Sequence, residues 1–182
     1  EGYADARVSF ALEPVAANQI AVRFDVEPGI RYQLQAVNLE PLATADPADV
    51  PMFQDTFGVK AGDAIDHDAI EAGRSALTIK AGEIGYPFAT VGVPQLVIDH
   101  ARTAGMLTVP GELGGRYNFG KIVITSGEIF SPNHVQGISR FKTGELYDVR
   151  NVEDLRQALI ATGLISRVTI EPVKSTTNPG QV

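Results

Sequence analysis

The sequence predicts an α+β fold made of tandem copies of one module, each ordered strand, short helix, long helix, strand, strand. Three observations lead there. "PGIRYQLQAVNLE" at 28–40 and "GGRYNFGKIVITSGE" at 114–128 open with the same Arg-Tyr step and pass into alternating apolar residues. "FGVKAGDAIDHDAIEAGRSALTIKAGEIG" at 57–85 aligns with "SRFKTGELYDVRNVEDLRQALIATGLIS" at 139–166, and "GYADARVSFALEP" at 2–14 with "GYPFATVGVPQLV" at 85–97. These offsets lie between 81 and 85 residues, as from Gly82 to Gly163 and from Arg31 to Arg116, so the repeat is one supersecondary unit long. Within each unit the apolar period changes from two to 3.6, which separates strands from helices.

The elements follow in order. In "ARVSFALE", Val8, Phe10 and Leu12 alternate with polar or small residues, and in "QIAVRFDVE" Ile20, Val22, Phe24 and Val26 do the same. Both read as strands with one buried face, joined through a loop at "PVAAN". Ile122 and Ile124 mark the strand of the second opening phrase. "PADVPMFQDTFG" and "SPNHVQGISRF" read as the short helices. After Asp148, Val152, Leu155, Leu159 and Thr162 share one helical stripe closed by Gly163; after Asp66 the matching stripe runs through Ile70, Leu77 and Ala81 to Gly82. Each aspartate is an N-cap candidate, because its carboxylate can accept a free N–H of the first turn. Gly73 and Ala76 leave room for another element to approach.

Two helices on a three-stranded mixed sheet form a stable two-layer unit. The expected organisation is a terminal hairpin of a first copy at 1–29, a complete second copy at 30–114, and a third copy at 115–182 that stops as its last strand begins. Glu1 is not a natural start, so a mature or excised piece is expected.

Composition narrows the functions. The chain has no cysteine, which leaves no disulfide framework and no thiolate zinc site. No apolar run reaches the ~18–20 residues of a membrane-spanning helix. A net charge of -7 disfavours non-specific nucleic-acid binding. The charge is uneven: residues 1–115 carry seven basic and sixteen acidic side chains, and 116–182 carry eight and six.

Candidate chemistry is sparse. His67, His100 and His134 have no ligand spacing. Asp63, Asp66, Asp68 and Glu71 invite a metal, but they miss the calcium-loop pattern and suit a helix N-terminus. No phosphate-binding glycine motif occurs, and Ser126 and Ser131 have no His–acid partners nearby. Tyr32, Tyr117, Phe119 and Tyr147 lie at element boundaries, where packing explains them better than base stacking. No enzymatic constellation, metal site or cofactor site emerges.

What remains is backbone chemistry at a sheet edge, where unpaired N–H and C=O groups can accept an added strand. The strand after each long helix is the candidate. In the middle copy Gly92 and Pro94 weaken it, because proline cannot donate to a ladder. In the last copy it runs uninterrupted through Arg167, Val168, Thr169, Ile170 and Glu171. These five residues are the expected protein-binding edge, and the more basic last copy favours acidic or unfolded clients.

The order of elements in tandem, with Phe119-Gly120, then Gly144-Glu145-Leu146-Tyr147-Asp148, then Thr162-Gly163-Leu164 through Val168, Ile170 and Pro172, resembles the POTRA (polypeptide-transport-associated) domains of the BamA/TamA superfamily of outer-membrane assembly proteins. The last copy is most similar to the TamA type, the outer-membrane subunit of the translocation and assembly module. The middle copy departs from the motif, with Leu34-Gln35 in place of Phe-Gly and Ala64-Ile65-Asp66 in place of the tyrosine turn. The resemblance implies a non-enzymatic periplasmic arm of an outer-membrane β-barrel. Its implied partners are unfolded outer-membrane or autotransporter precursors, an inner-membrane-anchored TamB-like protein and the arm's own C-terminal barrel. BamA-type and two-partner-secretion transporters share the pattern.

Overall fold

The computed structural model describes residues 2–3, 5–16, 19–125 and 129–182. The chain opens with an antiparallel hairpin, β1 (Arg7–Ala16) and β2 (Gln19–Glu27). The middle unit follows: β3 (Gln33–Leu39), a 3-10 turn at Glu40–Thr44, α1 (Val50–Phe57), α2 (His67–Glu83), β4 (Thr90–Val91), β5 (Gln95–Asp99), β6 (Ala104–Val109) and β7 (Gly111–Glu112). The last unit contributes α3 (Pro132–Ile138) and α4 (Val149–Ala161).

In the middle unit β6 is the central strand, parallel to β3 and antiparallel to β5. This is the expected three-stranded mixed sheet under two helices. Leu34 from β3 and Leu107 and Val109 from β6 are buried against Ile70, Leu77 and Ala81 of α2 and Phe53 and Phe57 of α1. Each fully buried Leu or Phe contributes ~1.5–3 kcal/mol. Helix α1 ends at Gly58, whose φ of 76° suits glycine and whose N–H donates to the Gln54 carbonyl. Gly73 brings α2 against α1: a Cβ there would lie 2.4 Å from the Phe57 carbonyl oxygen. Asp66 caps α2 by accepting from the N–H groups of Asp68 and Ala69, as expected.

The two units repeat their backbone bonds. The N–H of Leu34 donates to Asp63 O, that of Gly62 to Leu34 O, and that of Ile65 to Tyr32 O. The matching bonds run from Phe119 to Glu145, from Gly144 to Phe119, and from Tyr147 to Tyr117. Gly62 and Gly144 have φ of 97° and 92°, and the turns they occupy are closed alike by Asp63 and Glu145, which accept from the N–H of Lys60 and Lys142. The bridge Gln33↔Ala64 has its counterpart in Asn118↔Leu146. Asp148 caps α4 through the Arg150 N–H, and Gly163 follows it at φ 72°.

Three expectations need correction. β1 and β2 alternate as read, and their register sets Val8 against Val26, Phe10 against Phe24 and Leu12 against Val22. However, that apolar face is exposed rather than buried, with Phe10 67% and Phe24 64% accessible, because no described residue packs on it. Ile122 and Ile124 are half-buried against the last unit's core but form no assigned strand. The stretch around Pro94 divides: β4 pairs with β7, and Pro94 precedes β5 instead of interrupting it. The tips at Ala17–Asn18 and at Ser126–Gly127 lie outside the described residues.

Candidate protein-interaction surfaces

The predicted edge lies beside the last unit's core. Val168 and Ile170 are half-buried against a cluster of Phe119, Val135, Phe141, Tyr147, Leu155 and Leu159, while Arg167, Thr169 and Glu171 point outward. The alternation is that of a strand, yet none of the five takes part in a ladder. The partner expected from the middle unit is the central strand, since β6 separates β3 from β5. At the matching place Gln181 pairs parallel with Asn118, and the Gly120 N–H donates to Val182 O at 2.6 Å.

The ladder-bearing edge is β5. Its inner side bonds to β6, and no other strand among the described residues flanks it. Val93 and Val97 are exposed beside it, as is Met106, paired with Val97 across the ladder. β3, at the opposite edge, is partly occupied by the turn at Gly62–Ala64 through the Leu34 bonds. Gly92 and Pro94 therefore do not blunt the middle edge: Gly92 donates to Pro110 O, outside the β5 ladder.

The phrases at 28–40 and 114–128 mark the junctions in the sequence, but the contacts that close them were not legible there. At the first, the Tyr32 N–H donates to Gly2 O at 2.6 Å; at the second, the Tyr117 N–H donates to Gly85 O at 2.8 Å. The Gly-Tyr pair of one segment thus meets the Arg-Tyr pair of the next in both places. The Tyr32 hydroxyl donates to the Asp5 carboxylate and lies 2.9 Å from His100 Nδ1. That bond lowers the Asp5 carboxyl below its ordinary value and raises the Tyr32 phenol. At the second joint Phe88 meets Tyr117 edge to face at 5.2 Å, with Lys174 Nζ 5.0 Å from the Phe88 ring centre. Arg116 reaches Asp49 and Asp46 at 3.6 and 3.8 Å, and the Tyr86 hydroxyl donates to Asp49 at 2.8 Å. Burial raises the Tyr86 phenol. The signal that could have located these joints was the paired recurrence of Gly-Tyr and Arg-Tyr at matching offsets.

The remaining candidates have structural roles. Tyr32, Phe119 and Tyr147 are buried, and burial raises the Tyr147 phenol. Phe119 stacks on Phe141 at 3.8 Å. No His/Asp/Glu cluster among the described residues could hold a metal. Asp63 and Asp66 spend their carboxylates on local N–H groups. His67 and His134 lie in separate helices, and the Ser131 hydroxyl caps α3 by accepting from the His134 N–H. An open groove of about 520 Å³ lies between the end of α1 at Thr56–Val59, the turn at Asp63–Asp66 and the small residues Ala69, Ala72, Gly73 and Ala76 of α2. Among the described residues no helix is long and apolar enough to cross a membrane.

Residues 117–182 match the POTRA family model, described as surface antigen variable number repeat. No curated protein matches the chain. Its fold is similar to that of the BamA POTRA3-5 crystal structure from Haemophilus influenzae, at TM-score 0.62 and 19% identity over 99% of this chain and 70% of that one. BamA from Haemophilus ducreyi lacking POTRA domains 1-3 matches at TM-score 0.61 and 15% identity, over 82% of this chain and 28% of that one. POTRA1-2 of the periplasmic domain of Omp85 from Anabaena matches at TM-score 0.50 and 12% identity, over 82% and 90%. The mixed α+β architecture is that of POTRA domains in BamA and Omp85 structures.

Proposed function

We propose that the chain is the periplasmic POTRA arm of a TamA-type outer-membrane β-barrel assembly or translocation factor, divided into a hairpin at 1–29 and units at 30–114 and 115–182. The observation that carries this reading is the tandem itself: a short helix and a long helix written twice with the same turn bonds, the last copy matching the POTRA model over 117–182. The arm works by protein–protein contact, without catalysis or cofactor. Its clients are unfolded outer-membrane or autotransporter precursors, and its fixed partners are the protein's own barrel and an inner-membrane-anchored TamB-like protein.

The binding mode is strand addition along Arg167, Val168, Thr169, Ile170 and Glu171. Val168 and Ile170 anchor the segment on the core, leaving Arg167, Thr169 and Glu171 outward. An incoming strand would gain main-chain hydrogen bonds there, with alternate side chains reading the surface. Replacing Thr169 with proline removes one donor and should weaken binding of an unfolded outer-membrane β-barrel precursor about tenfold, with the middle unit still folded. Unchanged affinity would sink the edge proposal.

A second reading is favoured by the fold likeness to BamA over nearly the whole chain. In it the segment is the POTRA region of a BamA-type insertase, or a spacer that only holds the barrel. Photo-crosslinkers at Arg167, Thr169 and Glu171 separate client binding from spacing, since a spacer captures no precursor along that line.

A further inference from the structure

The two joints use the same three positions with different chemistry. One is the third residue after the joint glycine: Asp5 after Gly2, and Phe88 after Gly85. Another is the tyrosine of the Arg-Tyr phrase, Tyr32 or Tyr117. The third is a basic side chain in the loop leading to the unit's final strand. His100 precedes β6, and Lys174 precedes the Asn118↔Gln181 bridge that corresponds to Gln33↔Ala104. At the first joint Tyr32 is hydrogen-bonded between Asp5 and His100, with His100 Nδ1 3.3 Å from Asp5 Oδ1 and the two rings edge to face at 5.7 Å. At the second, Phe88 and Tyr117 meet edge to face, and Lys174 lies 5.0 and 5.9 Å from their ring centres.

We propose that these matched triads are orientation locks, and that the first is a proton-sensitive joint whereas the second is not. The Asp5–His100 contact is an ion pair only while the imidazole is charged. Asp5 stays ionised near neutral pH, because the Tyr32 hydroxyl holds its carboxyl below the usual value. The other charged groups around it come from every neighbouring element. Arg7 acts on Asp5 from the start of β1, Arg31 lies against Gly2, and Asp99 and Arg102 pair with each other at 3.8 Å in the His100 turn. Of these only Arg7 acts on Asp5, and less strongly than His100 does. Docking is therefore stronger with the imidazole protonated and weaker with it neutral. The ring contacts of Lys174 need no counter-ion.

The test uses the full chain, which has no native cysteine. Spin labels at Ser9→Cys and Thr78→Cys report the first joint, and labels at Thr78→Cys and Gln157→Cys the second; all three positions are exposed. Pulsed dipolar distances at pH 5.5 and 8.0 should show the ratio of docked to undocked first joint falling up to about five-fold at the higher pH, the range expected of an exposed pair. The second joint should keep one distribution. His100→Lys, which restores the charge of the second triad, should hold the first joint docked at both pH values. A first joint indifferent to pH overturns the proposal, as does a pH response that survives His100→Lys. An equal response at the second joint would also overturn it.

Discussion

The middle and last units execute one plan with different completions. Their opening turns are bonded identically, and Ile70, Gly73 and Leu77 of α2 correspond to Val152, Leu155 and Leu159 of α4. The sheet layers differ. β6 fills the centre of the middle sheet with Leu107 and Val109, whereas the last unit's core leans on the Phe119–Phe141 stack and on Tyr147 at 5.1 Å from Phe119. The half of the unit made of opening segment, turn and long helix is closed by bonds between residues nearer in sequence, such as Phe119 to Glu145. The ladders depend on a strand from the far end of the unit, a non-local contact with a larger closure cost.

The helix layers also differ by an exchange of volume. In the middle unit Phe57 of α1 presses on Gly73; at the matching positions the last unit has Ser139 and Leu155. A Cβ on Gly73 would lie 2.8 Å from the Phe57 ring, so Gly73→Leu should cost about 3 kcal/mol or more by urea unfolding. Phe57→Ser removes the ring contact but not the closer one to the Phe57 carbonyl oxygen, so the double change should recover only part of the cost, about 1 kcal/mol relative to the sum of the two single changes. Strict additivity would mean that the two units do not share this packing rule.

The second expected effect concerns the joint. A Cβ on Gly85 would come within 2.7 Å of Leu146, and its φ of 105° disfavours any side chain. Gly85→Ala should weaken docking of the last unit by roughly 2 kcal/mol. Its mark should be a broadened distance between Thr78 and Gln157 labels with both helices intact by circular dichroism. A joint unchanged by this substitution would show that its glycine is incidental.

The sequence made the local layer readable and left the tertiary layer partly hidden. Both long helices, their aspartate caps and the stripes ending near Gly82 and Gly163 follow from period and capping chemistry, which act within a few residues. The exposure of Phe10 and Phe24 did not follow, because alternation specifies two faces but not whether anything covers one. Pro94 misled for a related reason: whether a proline breaks a ladder depends on where the ladder starts, and β5 starts one residue later. The joints were invisible as chemistry, since Asp5, His100, Phe88 and Lys174 are distant in sequence and meet only through the fold. Their backbone half was nonetheless written in the chain, as the recurring Gly-Tyr and Arg-Tyr pairs.

The smallest expected effect tests the caps, where the units are most alike. Asp66→Ala and Asp148→Ala should each cost about 1 kcal/mol. Asp148 is further clasped by Arg150, whose guanidinium lies 2.7–3.1 Å from both carboxylate oxygens. That contact and the cap hold the Asp148 carboxyl below its ordinary value of 3.8. A carboxyl whose pKa is depressed on folding stabilises the fold fully above its unfolded value, and loses that contribution as pH falls through the folded one. The last unit should therefore lose cap stability on acidification below about pH 4. Asp148→Asn, which keeps a capping oxygen without the titrating group, should flatten that loss while leaving neutral-pH stability within about 1 kcal/mol. An acid profile of the last unit unchanged in Asp148→Asn would assign the loss to other carboxylates, with Glu153 first among them, since its contact with Arg156 lowers it to about 2.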